Sequence, residues 1–161
     1  EIKLLREALG AIYGERNPEK AVELLTKAIS AWERQPPDER AALNRVRGDC
    51  YMELLNAESA LKDYDITIEL LTGPGGNLAD PDELPAARLG RARALRSLPK
   101  PLSMEEAKTA AEDYQISLRL SSREEWDTDE ELEQDGAARN PYAAWEWGVA
   151  LRNSGQYQKA A

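Results

Sequence analysis

The 161-residue chain contains no histidine, no phenylalanine and a single cysteine, Cys50. Without histidine, the chain cannot form a Ser-His-Asp triad, a histidine-ligated metal site or a histidine proton shuttle. One cysteine cannot form an internal disulfide, a CxxC redox pair or a structural zinc site. These absences exclude several common catalytic designs, and the cysteine content gives no sign of an oxidising compartment.

Basic residues and long apolar runs are also scarce. The chain has 21 Lys and Arg against 30 Asp and Glu, so its formal net charge is −9. Because proteins bind nucleic acids largely through cations placed on phosphate groups, this excess of acid argues against a nucleic-acid partner. No stretch of 18 apolar residues is present, so we expect no direct insertion into a membrane.

Apolar residues recur with a period of 3.6 along the chain, which predicts an all-α protein. Helices are predicted at 2–14, 18–34, 39–55, 57–72, 83–97, 103–120 and 141–153. Asn17 and Asn140 each precede a proline and are predicted N-caps. Asp38 is predicted to cap the third helix, and Ser103 with Glu106 matches a capping box.

An internal repeat is visible when residues 60–70 are aligned with residues 110–120. Five of the eleven positions are identical, and the offset is 50 residues. Each helix pair has a glycine in its first helix and an alanine in its second. The glycines are Gly10, Gly48, Gly90 and Gly148, and the alanines are Ala21, Ala60, Ala110 and Ala160. Small residues at these positions predict close approach of the paired helices, with bulky residues filling the groove between them.

This pattern resembles the tetratricopeptide repeat (TPR) family, in which an aromatic residue follows the glycine by three positions and an alanine lies in the second helix. Tyr13 and Tyr51 occupy the aromatic position, whereas Arg93 replaces it in the third repeat. The resemblance implies one TPR-like α-solenoid of three helix pairs and a partial fourth. Its repeats would cover about 2–34, 39–72, 83–120 and 140–161.

The connections between the repeats are longer than a repeat of about 34 residues requires, by roughly five, eight and sixteen residues. The longest connection contains residues 121–136, with eight acidic residues, one basic residue and a net charge of −7. The rest of the chain has a net charge of only −2. Because the chain starts at Glu1 and stops at Ala161 inside the fourth repeat, we expect a processed or truncated start. We also expect further chain, or another cover, over Trp145 and Trp147.

No combination of residues predicts an enzyme. Asp127 and Asp129 begin an acidic run that suggests a calcium loop, but such a loop needs Gly at its sixth position and a carboxylate at its twelfth. Those positions hold Leu132 and Ala138. We therefore expect no catalytic residue, no cofactor and no metal.

Two carboxylates recur at equivalent positions of the repeat, Asp63 in the second repeat and Asp113 in the third. Equivalence between repeats favours a shared structural role over catalysis.

Two surfaces are candidate partner-binding sites. In TPR arrays the first helix of each repeat lines the concave face, so the resemblance assigns that face to eight residues. They are Arg45, Asp49, Met52, Arg88, Arg91, Trp145, Val149 and Arg152. A lining of Arg and Trp suits a protein or peptide segment, because both residues are frequent binding hot spots. The alternative is that the arginines form an ordinary solvated helix surface.

The second candidate surface is the acidic insertion, which would meet a basic surface or serve only as solvated padding. Its candidate residues are Glu124, Glu125, Trp126, Asp127 and Asp129.

The sequence therefore predicts a non-enzymatic interaction scaffold or accessory subunit. A chaperone adaptor is one alternative, but of the positions that match a TPR carboxylate clamp only Arg45 and Arg88 provide donors, and Glu7 reverses the charge. A helical regulatory domain of an enzyme is another. Residues 140–148 are similar to a group of chloroplast TPR proteins. That similarity implies a thylakoid-associated protein that assists or decorates a photosynthetic membrane complex; otherwise a cytoplasmic location is expected.

Overall fold

The computed structural model describes residues 2–74, 82–121 and 141–153, and all regular structure in these ranges is helical. The α-helices are α1 (Ile2–Leu9), α2 (Pro18–Ala31), α3 (Pro37–Glu53), α4 (Ala57–Thr72), α5 (Glu83–Arg96), α6 (Met104–Ser121) and α7 (Pro141–Asn153). The all-α prediction is confirmed for these ranges. The acidic insertion beyond Ser121, with its candidate residues, and the predicted cap Asn140 lie outside the described residues.

Side-chain caps begin two of the helices as the sequence predicted. The Asn17 side chain accepts a hydrogen bond of 3.0 Å from the Lys20 backbone N–H, directly before the proline that starts α2. At the start of α6, the Ser103 N–H donates to Glu106 at 2.8 Å, and the Glu106 N–H donates to the Ser103 hydroxyl at 3.2 Å. These reciprocal bonds confirm the capping box.

Two other helix starts differ from the prediction. Helix α3 begins at Pro37 with Pro36 as its N-cap and no side-chain cap, so Asp38 lies in the first turn and does not cap the helix. Helix α4 has a cap that the sequence reading missed, because the Asn56 side chain accepts a 3.1 Å bond from the Ser59 N–H.

The first repeat departs from the predicted packing at its glycine. Helix α1 continues into a π-helical turn over Gly10–Gly14, closed by a 3.0 Å bond from the Glu15 N–H to the Gly10 carbonyl. No described atom lies within 4 Å of a Cβ placed on Gly10 or Gly148, and Tyr13 is 77% exposed. The predicted close helix approach is therefore wrong at Gly10, whereas Gly48 does contact a helix partner, Tyr64. The second helix predicted to pair with the Gly148 helix lies outside the described residues.

The chain divides into two compact units, unit 1 over residues 1–79 and unit 2 over residues 80–161. In unit 1, α1 packs against α2, α2 against α3, and α3 against α4. One core cluster of this unit is built largely from small side chains, since four alanines and Cys50 accompany only two leucines. Its buried residues are Ala8, Ala11, Ala21, Leu25, Ala28, Leu43 and Cys50. Burial, and then the charges of nearby carboxylates, raise the pKa of the Cys50 thiol to about 11.

In unit 2, helix α6 packs against both α5 and α7. Tyr114 is fully buried on α6, and burial raises its pKa to about 12, so its phenol is neutral at physiological pH. Trp147 on α7 is 4% exposed and therefore buried. None of the helices in the described ranges combines the length and the apolar character that a bilayer crossing requires.

Candidate partner-binding groove

Three helices of unit 1 enclose an apolar groove with a volume of about 400 Å³. Helix α1 contributes two lining residues, α2 and its C-cap Trp32 contribute one each, and α3 contributes four. They are Leu5, Leu9, Leu25, Trp32, Glu39, Ala42, Leu43 and Val46. We call this feature the α1–α3 groove.

Helical spacing explains why these side chains share one groove. Leu5 and Leu9 are four residues apart on α1, and Leu25 on α2 lies seven residues before Trp32, the C-cap of that helix. The α3 residues follow the spacing i, i+3, i+4 and i+7 from Glu39. Because such spacings place side chains on one side of a helix, each helix presents a single stripe to the groove.

The floor of the groove is buried and its wall is accessible. Leu25 is fully buried and Leu43 is 5% exposed, so they anchor the groove to the core of unit 1. Leu9 is 40% exposed and Val46 is partly exposed. An accessible, concave and mainly apolar surface of this kind can bury apolar side chains of a second molecule.

Two polar groups belong to the groove residues. Glu39 is exposed, is the one charged residue in the lining, and has no ion-pair partner among the described residues. The Trp32 indole Nε1 is buried without a hydrogen-bond acceptor among the described residues. A buried, unsatisfied donor costs about 1–3 kcal/mol, so the indole position carries a cost that the surrounding packing must offset.

The predicted concave-face residues of α3 do not line this groove. Arg45 donates to Asp49 at 2.6 Å, and Asp49 also accepts a 2.7 Å bond from the Tyr64 hydroxyl. Met52 is partly buried. Arg45 and Asp49 therefore neutralise each other one turn apart on the helix.

The arginines predicted on α5 bind a carboxylate inside unit 2. Arg88 Nη1 lies 2.8 Å from Asp113 Oδ1, and Arg91 donates to both Asp113 oxygens at 2.6 and 2.8 Å. Both arginine side chains are only 18% exposed and Asp113 is fully buried. The predicted candidates Arg88 and Arg91 thus join α5 to α6, and neither forms the solvated helix surface that was the alternative.

An equivalent ion pair joins α3 to α4 in unit 1. Arg47 donates to both oxygens of Asp63 at 2.8 and 2.7 Å and to the Thr26 hydroxyl at 3.1 Å. The hydrogen bonds that the Arg47 guanidinium donates to Asp63 raise the pKa of that guanidinium. Asp63 and Asp113, which align in the repeat, therefore hold the same kind of contact between paired helices.

The third arginine cluster joins α5 to α7. Arg93 Nε and Arg96 Nη1 lie 2.9 and 3.0 Å from the Glu146 carboxylate, which is buried. The Arg96 guanidinium also lies 5.7 Å from the centre of the Trp145 ring, a cation–π contact.

Three predicted partner residues lie on α7. Trp145 is 58% exposed, Arg152 is exposed and Val149 is partly exposed. The predicted concave-face residues are thus divided between the two units, and several of them make internal ion pairs.

The described residues contain no group of three or more Cys, Asp or Glu side chains arranged to hold a metal ion. No protein-family model matches this chain, and no curated protein matches it in sequence.

The 3.6-residue period of apolar residues predicted the helices of unit 1 but not the groove, because the predicted partner-binding residues did not include the α3 positions that complete the lining. The available signal was the spacing of Ala42, Leu43 and Val46 after Glu39.

Proposed function

We propose that this protein is a non-enzymatic interaction scaffold or accessory subunit that holds a segment of another polypeptide, with its helix pairs stacked as a TPR-like α-solenoid. The observation that carries the proposal is the α1–α3 groove of unit 1. Its lining is apolar except for Glu39, and part of it is open to solvent.

The size and surface of the groove support a polypeptide occupant. A volume of about 400 Å³ is within the range of roughly 300–1,000 Å³ found for ligand sites, and it suits a few apolar side chains. Burying apolar surface contributes about 25 cal/mol per Å², so covering Leu9 and its neighbours would favour binding. Recognition of a helix by a groove depends on apolar anchors of this kind.

The internal ion pairs weigh against the chaperone-adaptor alternative. A carboxylate clamp needs cationic donors that face a ligand, yet the Arg88 guanidinium donates to the buried Asp113. The plastid location and the link to a photosynthetic complex stay predictions based on the sequence similarity of residues 140–148.

A selection from displayed random dodecapeptides against the full chain tests the proposal. We expect enriched peptides that bind with one-to-one stoichiometry in calorimetry. Leu9→Gln places a polar amide on the groove wall and should weaken their binding at least fivefold. Leu120→Gln is the matched control, since Leu120 in unit 2 has almost the same exposure, 41% against 40%.

The comparison between the groove variant and its control decides the result. The proposal holds if Leu9→Gln weakens binding, Leu120→Gln does not, and both variants keep the wild-type thermal midpoint within a few degrees. A selection that enriches no peptide, or only peptides insensitive to Leu9→Gln, would overturn it. Ala42→Leu provides a second variant because it fills the groove with an apolar side chain, and Ala86→Leu on the exposed side of α5 is its control.

A further inference from the structure

We propose that the segment held in the α1–α3 groove carries a lysine or arginine beside its apolar side chains, and that Glu39 binds this cation. The inference rests on the proposed function, because it concerns the occupant of the same groove.

The lining of the groove carries a single charge, and that charge is negative. Seven of the eight lining residues are uncharged, and the eighth is the Glu39 carboxylate. Glu39 is exposed and makes no ion pair with any described residue. An occupant that covers the apolar floor would bring its flanking residues to this carboxylate, and a cation there would give Glu39 a counter-charge.

The predicted binding cation on α3 is already neutralised within the chain. Arg45 lies on the same helix as Glu39 but donates to Asp49 at 2.6 Å. The groove therefore presents one negative charge and no compensating positive charge in its lining. Unit 1 itself holds 14 acidic and 10 basic residues, a net charge of −4, which acts in the same direction because it attracts cationic partners at long range.

Glu39 also stabilises its own helix, and the experiment must separate this effect from binding of a cation. It lies in the first turn of α3, where a carboxylate stabilises the positive end of the helix dipole. Asp38 lies in the same turn but does not line the groove. Asp38→Asn is therefore a matched control, since it removes a charge from the same helix end without changing the lining.

A double-mutant cycle tests the inference. Its probes are the tightest groove-dependent dodecapeptide from the display selection and the variant of that peptide in which each lysine or arginine is replaced by glutamine. We expect Glu39→Gln to weaken binding of the basic peptide about two- to fivefold at low salt, as for a partly exposed ion pair. Glu39→Gln should not change the affinity for the glutamine variant of the peptide. Salt at 0.5 M should reduce the difference, and Asp38→Asn should weaken the two peptides equally or not at all.

The outcomes separate this inference from the proposed function. Two outcomes would overturn the inference and leave the proposed function standing. In the first, the selected peptides depend on Leu9 but contain no lysine or arginine. In the second, Glu39→Gln weakens binding of the basic peptide and of its glutamine variant by the same factor. A selection without any groove-dependent peptide would overturn both.

Discussion

Gly48 on α3 lies directly against the ring of Tyr64 on α4. A Cβ placed on Gly48 would be 3.0 Å from Cε1 of that ring and 3.2 Å from Cζ. Tyr64 cannot easily withdraw, because it is 2% exposed and its hydroxyl donates to Asp49 at 2.7 Å. The absence of a side chain at Gly48 is therefore what allows the two helices to pack at this distance.

We expect Gly48→Ala to lower the free energy of unfolding of unit 1 by about 1–2 kcal/mol, the typical cost of overpacking a core. Helix propensity alone predicts the opposite sign, a gain of about 1 kcal/mol. Gly10→Ala is the control, since no described atom lies within 4 Å of its Cβ position, and it should not destabilise the protein. Urea denaturation followed by circular dichroism measures both. A stabilised Gly48→Ala variant would show that Tyr64 can move.

The buried carboxylate Asp113 should be essential to the stability of unit 2. Replacing it by asparagine removes the carboxylate that both the Arg88 and the Arg91 guanidiniums, each 18% exposed, bind. We expect Asp113→Asn to lower the free energy of unfolding by about 3 kcal/mol, the lower end for breaking a buried ion pair. Glu112→Gln changes the exposed neighbouring residue and should alter stability by less than about 0.5 kcal/mol. Equal effects of the two variants in denaturant titrations would contradict the ion-pair assignment.

Several of these features were predictable from local sequence, and others were not. The Asn17 cap and the Ser103 capping box were predicted because each depends on residues within three positions of one another. The partner of Arg91 is 22 residues away along the chain, so periodicity on α5 could not distinguish a buried ion pair from a solvated surface. The groove was missed for a similar reason, because its lining comes from three helices.

The capping box at the start of α6 predicts a pH dependence. Hydrogen bonding from Lys100, at 2.8 Å, and from the Ser103 backbone lowers the pKa of Glu106 to about 2 from an ordinary value of 4.5. Because the folded pKa is the lower one, Glu106 contributes stability above pH 4.5 that is lost as the pH falls from about 4.5 to about 2. Glu106→Gln should make the fall of the thermal midpoint in this window shallower. Parallel midpoint curves for the variant and the wild type would contradict the assignment.

Leu55, between α3 and α4, adopts the left-handed backbone conformation, which is unfavourable for a leucine. Its φ is 57° and it is 93% exposed. The N–H groups of Leu55 and Asn56 donate to the Met52 and Tyr51 carbonyls at 3.0 and 2.9 Å, the bonds of a Schellman helix end, where glycine is usual. Leu55 is therefore strained in its backbone, while its side chain is almost entirely exposed to solvent.

We expect Leu55→Gly to raise the free energy of unfolding by about 0.5 kcal/mol. Relief of about 1–2 kcal/mol of left-handed strain exceeds the entropy cost of about 0.5–1 kcal/mol that glycine adds. Ile66→Gly, at an exposed position inside α4, is the control and should lower stability by about 1 kcal/mol. Thermal and urea denaturation measure both variants. A destabilised Leu55→Gly variant would show that the leucine side chain makes a stabilising contact.

The most direct test of the central claim is a methyl NMR titration of the full chain with the selected dodecapeptide. Binding in the α1–α3 groove predicts that the methyl signals of Leu5, Leu9 and Val46 shift saturably with peptide concentration, while those of Leu118 and Leu120 in unit 2 stay in place. A peptide that saturates the protein but shifts mainly the unit 2 methyls, or leaves the groove methyls unchanged, would contradict the claim.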